Sequence, residues 1–328
     1  MKPLHCIVLR VIASFVVATA TSVAGGQPYP SRAITLVTPF PAGGVTDTLA
    51  RVLAEHMRAP LGQPVVVENI TGAGGTIGVA RVVRAAPDGY TVGIGQWSSH
   101  VSAPALFPVT YDVLKDLAPV SLLPSSPLGI AVKKPLPAND ISELIAWLKA
   151  NPDKASAAVP GVGTAGHLCS VYLMRSAGVR FALVPYRGAG PAMQDLLAGH
   201  VDMMCGEASQ MLPHLQSSRI RVLAVMAKSR WSGAPEIPTI DEAGLRGLYI
   251  AFWHGIWAPK GTPQGVIEGL NAAVVESLAN PTMRERVKQL GQEIPAREQQ
   301  TPQALASHHR SEVEKWWPII KAENIEVN

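Results

Sequence analysis

A chain of 328 residues is too long for one typical core and suits two domains. With 47% apolar and 16% charged residues it is globular, which excludes a disordered or acidic-tailed protein. The formal charge is only +4 and the basic residues are scattered, so there is no electrostatic footprint for nucleic acid.

Residues 1–24 stand apart. Lys2 and Arg10 flank a short basic region, residues 11–20 are apolar, and Ser22, Val23 and Ala24 put small side chains where a signal peptidase reads. This is the pattern of a secretory signal peptide cleaved after Ala24, and the expected location is the periplasm. The apolar run is shorter than the roughly 20 residues a membrane span needs. Cys6 lies before that run, which argues against a lipoprotein. Removing the segment leaves 26 basic and 24 acidic residues, a net charge of +2. The mature chain keeps Cys169 and Cys205. Export permits a bridge between them, but two buried thiols are the expectation, because a chain this long needs no staple.

Residues 34–49 (ITLVTPFPAGGVTDTL) organise the first half. Residues 34–37 read as a buried parallel strand, ended by Pro39 and Pro41. Gly43 and Gly44 allow a tight turn, and Thr46 or Asp47 can cap a helix over 45–57. Such a turn suits a carboxylate or phosphate, and equally an ordinary βα connection. A second strand at 65–67, a glycine loop at 71–78, a helix over 77–86 and a third strand at 90–95 complete a β-α-β-α-β run, hence an α/β fold with a parallel sheet. Trp97, Ser98, Ser99 and His100 follow the third strand, on the rim where open parallel sheets bind ligands.

Residues 103–119 read as irregular, and 120–133 as a long broken strand passing between domains. Residues 139–143 look like a capped start of a helix ending near 150. A second unit then repeats the first: strand 155–159, glycine turn 160–166, helix 167–177, strand 181–186, helix 191–198, strand 201–205, helix 211–216 and strand 221–226. The remainder offers a strand at 251–258 and helices over 263–279, 281–290 and 302–323, the last with Trp316 and Trp317 packed inward.

Residues 161–166 (GVGTAG) match GxGxxG, but no acid follows at the position a ribose would require, so a nucleotide is disfavoured. A carboxylate held by the same amides fits better, with a Thr164 hydroxyl and a His167 ring N–H as further donors. Arg187 reads either as a bidentate partner for an anion or as a solvated loop arginine. Signatures of metalloproteases, thiol oxidoreductases, serine hydrolases and P-loop enzymes are missing from the sequence. Asp202 and Glu207 can be imagined as an acid–base pair, which with His167 keeps a periplasmic enzyme acting on a carboxylated metabolite as one rival reading, a ligand-sensing subunit of a signalling system being the other. Asp202 reads better as a strand-entry residue bonding backbone N–H groups.

Nine words in order, among them TPFPAGGVTD, GQPVVVEN, GAGGTIG, GVGTAGHL, VPYRG and WHGIWAPKGTP, resemble the periplasmic solute-binding proteins of tripartite tricarboxylate transporters, the Bug family. Ile70-Thr71 and Val159-Pro160 depart from the family's usual pairs. The resemblance implies a two-lobed, periplasmic-binding-protein-like α/β fold, each lobe a mostly parallel sheet flanked by helices. Lobe one is expected at 27–124 and 225–328, and lobe two at 125–224. It further implies a monomeric receptor without cofactor or catalysis. That receptor holds a small carboxylate between the lobes for delivery to membrane transporter subunits. The implied ligand-binding positions are Pro41, Ala42, Gly43, Asp47, Gly163, Thr164, His167 and Asp202. The residue reading adds Trp97, Ser98, Ser99 and Arg187, and no metal ligands. Asp47 is expected to hold its turn or cap its helix, since two anions repel. Trp97, His100, Trp253 and His254 near the rim favour an aromatic dicarboxylate over a citrate-like ligand.

Overall fold

In the computed structural model, which describes residues 29–215 and 219–323, two β-α-β-α-β runs each build half of one continuous sheet. The expected signal peptide, residues 1–24, lies outside the described residues. The first run is β1 (Ile34–Thr38), α1 (Val45–Leu61), β2 (Val65–Asn69), α2 (Thr76–Val83) and β3 (Thr91–Gln96). A π-helical turn (Ser98–Ser102) leads into the one-turn helix α3 (Ala103–Leu106), inside a stretch expected to be irregular. The long strand β4 (Leu117–Lys133) and helix α4 (Ile141–Ala150) follow. The second run is β5 (Ser156–Val159), α5 (Ala165–Ala177), β6 (Ala182–Pro185), α6 (Ala189–Ala198) and β7 (Met203–Glu207). Helix α7 (Ala208–Leu215), β8 (Ile220–Val225), β9 (Ala251–Pro259), α8 (Gln264–Ala279), α9 (Pro281–Gln289) and α10 (Pro302–Ala322) complete the order.

The strands run β2-β1-β3-β9-β4-β7-β5-β6, with β8 also paired to β4. In each half the strands of the run pair in parallel, β1 with β2 and β3, and β5 with β6 and β7. The apolar residues of the inner strands β1, β3, β5 and β7 are mostly buried, whereas the edge strands β2 and β6 are partly exposed. Strand β4 joins the halves by changing partners. Up to Pro127 it lies antiparallel to β9, and from Leu128 onward antiparallel to β7 and β8.

That change of partner positions the site. Gln96, the last residue of β3, opposes His254, which in turn opposes Leu123 of β4. Glu207, the last residue of β7, opposes Leu128. The carboxyl ends of the two parallel sets are thus separated by a few residues of β4, roughly 16 Å at ~3.3 Å per residue. Ligands of open α/β sheets bind beyond such ends.

Two sequence expectations are corrected here. Cys169 on α5 and Cys205 on β7 form a disulfide with Cα atoms 6.1 Å apart, instead of remaining two thiols. The helix start lies directly over the strand, bringing the two Cβ atoms together in the closed core. Trp97, Ser99 and His100 are fully enclosed instead of standing on a rim, because α10 packs over the turn that carries them.

Candidate functional site

A cleft of about 360 Å³ opens where the two sets of carboxyl ends meet. One wall is Phe40, Pro41 and Gly44 to Thr46, with Gln96 and Ser98 beside them. The other is Pro160, residues 164–166, Gly188–Ala189 and the end of β7, with Gln210 of α7. Leu128 and Phe252 lie between the walls.

Three helices start on this cleft, α1, α5 and α6. Gly44 and Gly188 precede α1 and α6 and offer no side-chain cap. Thr164 caps α5, its hydroxyl accepting the His167 N–H at 3.4 Å. First-turn N–H groups have no carbonyl behind them, so the cleft receives unpaired donors and the positive ends of helix dipoles. Gly166 lets α5 come close to β7, because a Cβ there would sit 2.5 Å from the Cys205 carbonyl oxygen.

The turn before α1 is held from below by Asp47. Its Oδ2 accepts the Gly43 N–H at 2.8 Å and Arg51 Nε at 2.9 Å, and its Oδ1 accepts Asn69 Nδ2 at 2.8 Å. Burial pushes this carboxyl up, but the bonds from Arg51, Gly43 and Asn69 prevail and hold it below its ordinary range. Asp47 therefore holds the turn without capping the helix. Thr46 is oriented by His254: Nδ1–H donates to the Pro124 carbonyl at 2.9 Å, so Nε2 accepts the Thr46 hydroxyl at 3.2 Å. Burial depresses His254 to about 4 and keeps the ring neutral.

Of the positions expected from sequence, Pro41, Ser98 and Thr164 line the cleft. Ala42 and Gly43 are exposed beside it, and the Gly43 amide is engaged by Asp47. Gly163 donates its N–H to His167 Nδ1 at 3.0 Å, which turns that imidazole nitrogen away from any ligand. Burial lowers the His167 pKa. Trp97 donates to Glu312 at 2.9 Å and meets Trp316 edge-on in the core. Ser99 bonds Gln96 and His100 within the π-helical turn. Arg187 is exposed and outside the lining. Asp202 enters β7 at its far end, paired with Lys133 at 2.8 Å and accepting the Ser156 N–H at 2.7 Å. Trp253 and His254 are also buried, so the rings expected to flank a flat ligand do not line the cleft; Phe40 and Phe252 do.

Sequence reasoning did not place Phe40, Gln96, Leu128, Gln210 or Phe252 at the site. Gln96 was findable, as the residue on which β3 ends. Glu207, named only for the rival enzyme, is the last residue of β7, which runs two residues past its expected end at Cys205. Burial lifts its carboxyl to about 7, against the pull of Ser209, Gln292 and Gln210. Asp202 sits five strand residues away, roughly 16 Å, so the two do not form an acid–base pair.

Residues 49–325 match the model of the tripartite tricarboxylate transporter family receptor, TctC. Among solved structures the chain is similar to the periplasmic binding protein BugD, 40% identical with a TM-score of 0.78, over 91% of this chain and 99% of that one. It is similar to MatC of Rhodopseudomonas palustris with bound malate, 38% identical, TM-score 0.78, over 89% and 100% of the two chains. A second R. palustris protein, solved with adipate, is 32% identical with a TM-score of 0.80 over 91% and 99%. These neighbours share the two-lobed α/β fold. The chain belongs to the tripartite tricarboxylate transporter family receptors, the Bug family.

Proposed function

We propose that this chain is a periplasmic receptor that captures a small carboxylate between its lobes and delivers it to the membrane subunits of a tripartite tricarboxylate transporter. The observation that carries the reading is the convergence of the α1, α5 and α6 starts on one cleft, two of them without a side-chain cap. A carboxylate there gains amide hydrogen bonds and a favourable dipole field without a salt bridge. The malate and adipate held by the R. palustris relatives support the same ligand class for this chain. A volume near 360 Å³ suits a small metabolite.

In this reading, lobe one comprises residues 27–124 and 225–328 and lobe two residues 125–224. The change of partner in β4 at Pro127 and Leu128 supports that division. Residues 1–24 serve as the export signal, and the Cys169–Cys205 bridge fits an oxidising compartment. Both walls of the cleft come from one chain, which supports a receptor that binds its ligand as a monomer. It turns nothing over, since Asp202 and Glu207 stand at opposite ends of β7 and His167 Nδ1 is engaged by Gly163.

A thermal-shift screen over aliphatic and aromatic mono- and dicarboxylates, followed by incubation and mass analysis of each hit, tests the reading. The expected result is a rise in Tm with the ligand recovered unchanged. Chemical conversion of a hit would replace the receptor with an enzyme.

A further inference from the structure

Behind the cleft, the first turn of α7 meets two segments of the other lobe in the division given above. Glu207 and Gln210, on either side of the start of α7, line the cleft. Ser209, between them, packs against Gly291 and Trp231: a Cβ on Gly291 would lie 2.7 Å from Ser209 Cβ and 3.2 Å from Trp231 Cζ2. Trp231 shares an apolar cluster with Ala208 and Leu212 of α7. Ser209 and Gln292 also stand beside the Glu207 carboxyl and favour its ionised form. Glu207, Trp231 and Gln292 are 6%, 2% and 4% exposed. Among the described residues, seven sealed side-chain N and O atoms have no hydrogen-bond partner, and five of them gather here: Glu207 Oε1, Ser209 Oγ, Trp231 Nε1 and both amide atoms of Gln292. Each such group costs free energy if left unpaired, so this concentration calls for a shared partner.

We propose that Glu207, Ser209, Trp231 and Gln292 enclose an internal water site, one or two molecules that tie the first turn of α7 in lobe two to lobe one behind the cleft. The inference rests on the receptor reading and lobe division above and deepens them. The chemistry of the surrounding groups selects the occupant. Trp231 Nε1–H and the Gln292 NH2 only donate, Glu207 Oε1 and the Gln292 carbonyl only accept, and the Ser209 hydroxyl does either. Water both donates and accepts, so one molecule takes the indole N–H while giving a proton to Glu207. A cation would meet the indole and amide protons head-on, and an anion would face the Glu207 carboxylate. A water-bridged contact is nearly as favourable as a direct one, and a molecule free to turn keeps its bonds while the lobes rotate against each other. The site thereby holds the start of α7, and with it Glu207 and Gln210, at the cleft wall as the receptor closes.

A high-resolution crystal structure and NMR of the 15N-labelled protein test this. The crystal structure should hold an ordered water within about 2.7–3.2 Å of Glu207 Oε1 and of Trp231 Nε1 or a Gln292 amide atom. In solution the Trp231 indole N–H, assigned by the loss of its signal in Trp231→Phe, should show a cross-relaxation peak to water. Gln292→Leu, near-isosteric and without either amide atom, should weaken binding of malate or adipate, whichever the wild type takes, by about threefold or more, as for one lost hydrogen bond. Direct bonding among the four side chains, an indole with no water cross-peak, or wild-type affinity in Gln292→Leu overturns the inference and leaves the receptor standing. The water cross-peak in a wild type that binds no carboxylate of the screen overturns the receptor reading and keeps the site. Should either variant fold poorly, the crystal structure of the wild type still decides.

Discussion

Replacing Asp47 by asparagine should loosen the turn that forms one wall of the cleft. Its two oxygens accept three donors, from Gly43, Arg51 and Asn69. An asparagine offers one oxygen and one NH2. If its oxygen keeps Gly43 and Arg51, its NH2 meets the Asn69 amide donor. Asn69 cannot flip to compensate, because its Nδ2 also donates to the Phe40 carbonyl at 2.9 Å and its Oδ1 accepts Arg51 Nη2 at 3.0 Å. One hydrogen bond to a charged acceptor is lost, about 1.5–3 kcal/mol. The ion pair itself adds little, since the Arg51 side chain is 53% exposed and screened by solvent. A total near 2 kcal/mol corresponds to a Tm drop of roughly 4–8 °C. Residues 41–44 also lose their support, so carboxylate affinity should fall about fivefold, the equivalent of ~1 kcal/mol. The Asp47 carboxyl is held below its ordinary range, so its contribution is complete above about pH 4 and lost as the pH falls through its folded value. The gap between Asp47→Asn and wild type should therefore close in strong acid. Calorimetry and ligand titration on the purified variant read both effects. Wild-type Tm and wild-type affinity together would show that this network supports neither turn nor site.

Two further outcomes follow from buried groups. Burial holds His254 and His309 at about 4, so each contributes stability that is whole above pH ~6.5 and disappears as the pH falls through ~4, on the order of 3 kcal/mol apiece. Tm should drop steeply between pH 6.5 and 4, and a flat profile over that range would count against neutral buried rings. The Cys169–Cys205 bridge closes a separation of 36 residues, which constrains the unfolded chain by about 4 kcal/mol. The double alanine variant should melt on the order of 10 °C lower, and an unchanged Tm would mean the bridge does not form in the protein as expressed.

Local chemistry made much of the fold legible. The capped start of α4 is an example: Asp140 accepts the Glu143 N–H at 2.8 Å, and Glu143 reaches back to the Asn139 N–H. The repeated strand–glycine turn–helix unit likewise marked both walls of the cleft before any tertiary contact was known. What stayed hidden depends on partners far along the chain. Trp97 reads as a rim residue until Glu312, 215 positions later, is found to accept its indole N–H. Cys169 and Cys205 carry no local sign of facing one another. Glu207 falls beyond the expected end of β7 because the strand draws its last two residues from pairing with β4, and pairing length is a tertiary property. The α1 cap misled for a different reason. Asp47 has the right chemistry at the right place, but Gly43 in the turn claims its oxygen first.

The central claim, that amides at the helix starts capture a carboxylate in the cleft between the two halves of the sheet, is tested most directly by a crystal structure with the tightest-binding carboxylate from the screen. The account predicts carboxylate oxygens within hydrogen-bonding distance, about 2.7–3.2 Å, of first-turn N–H groups of α1 or α5, with Phe40 and Phe252 against the ligand body. A ligand held instead by Arg187, or seated outside the cleft, would contradict it.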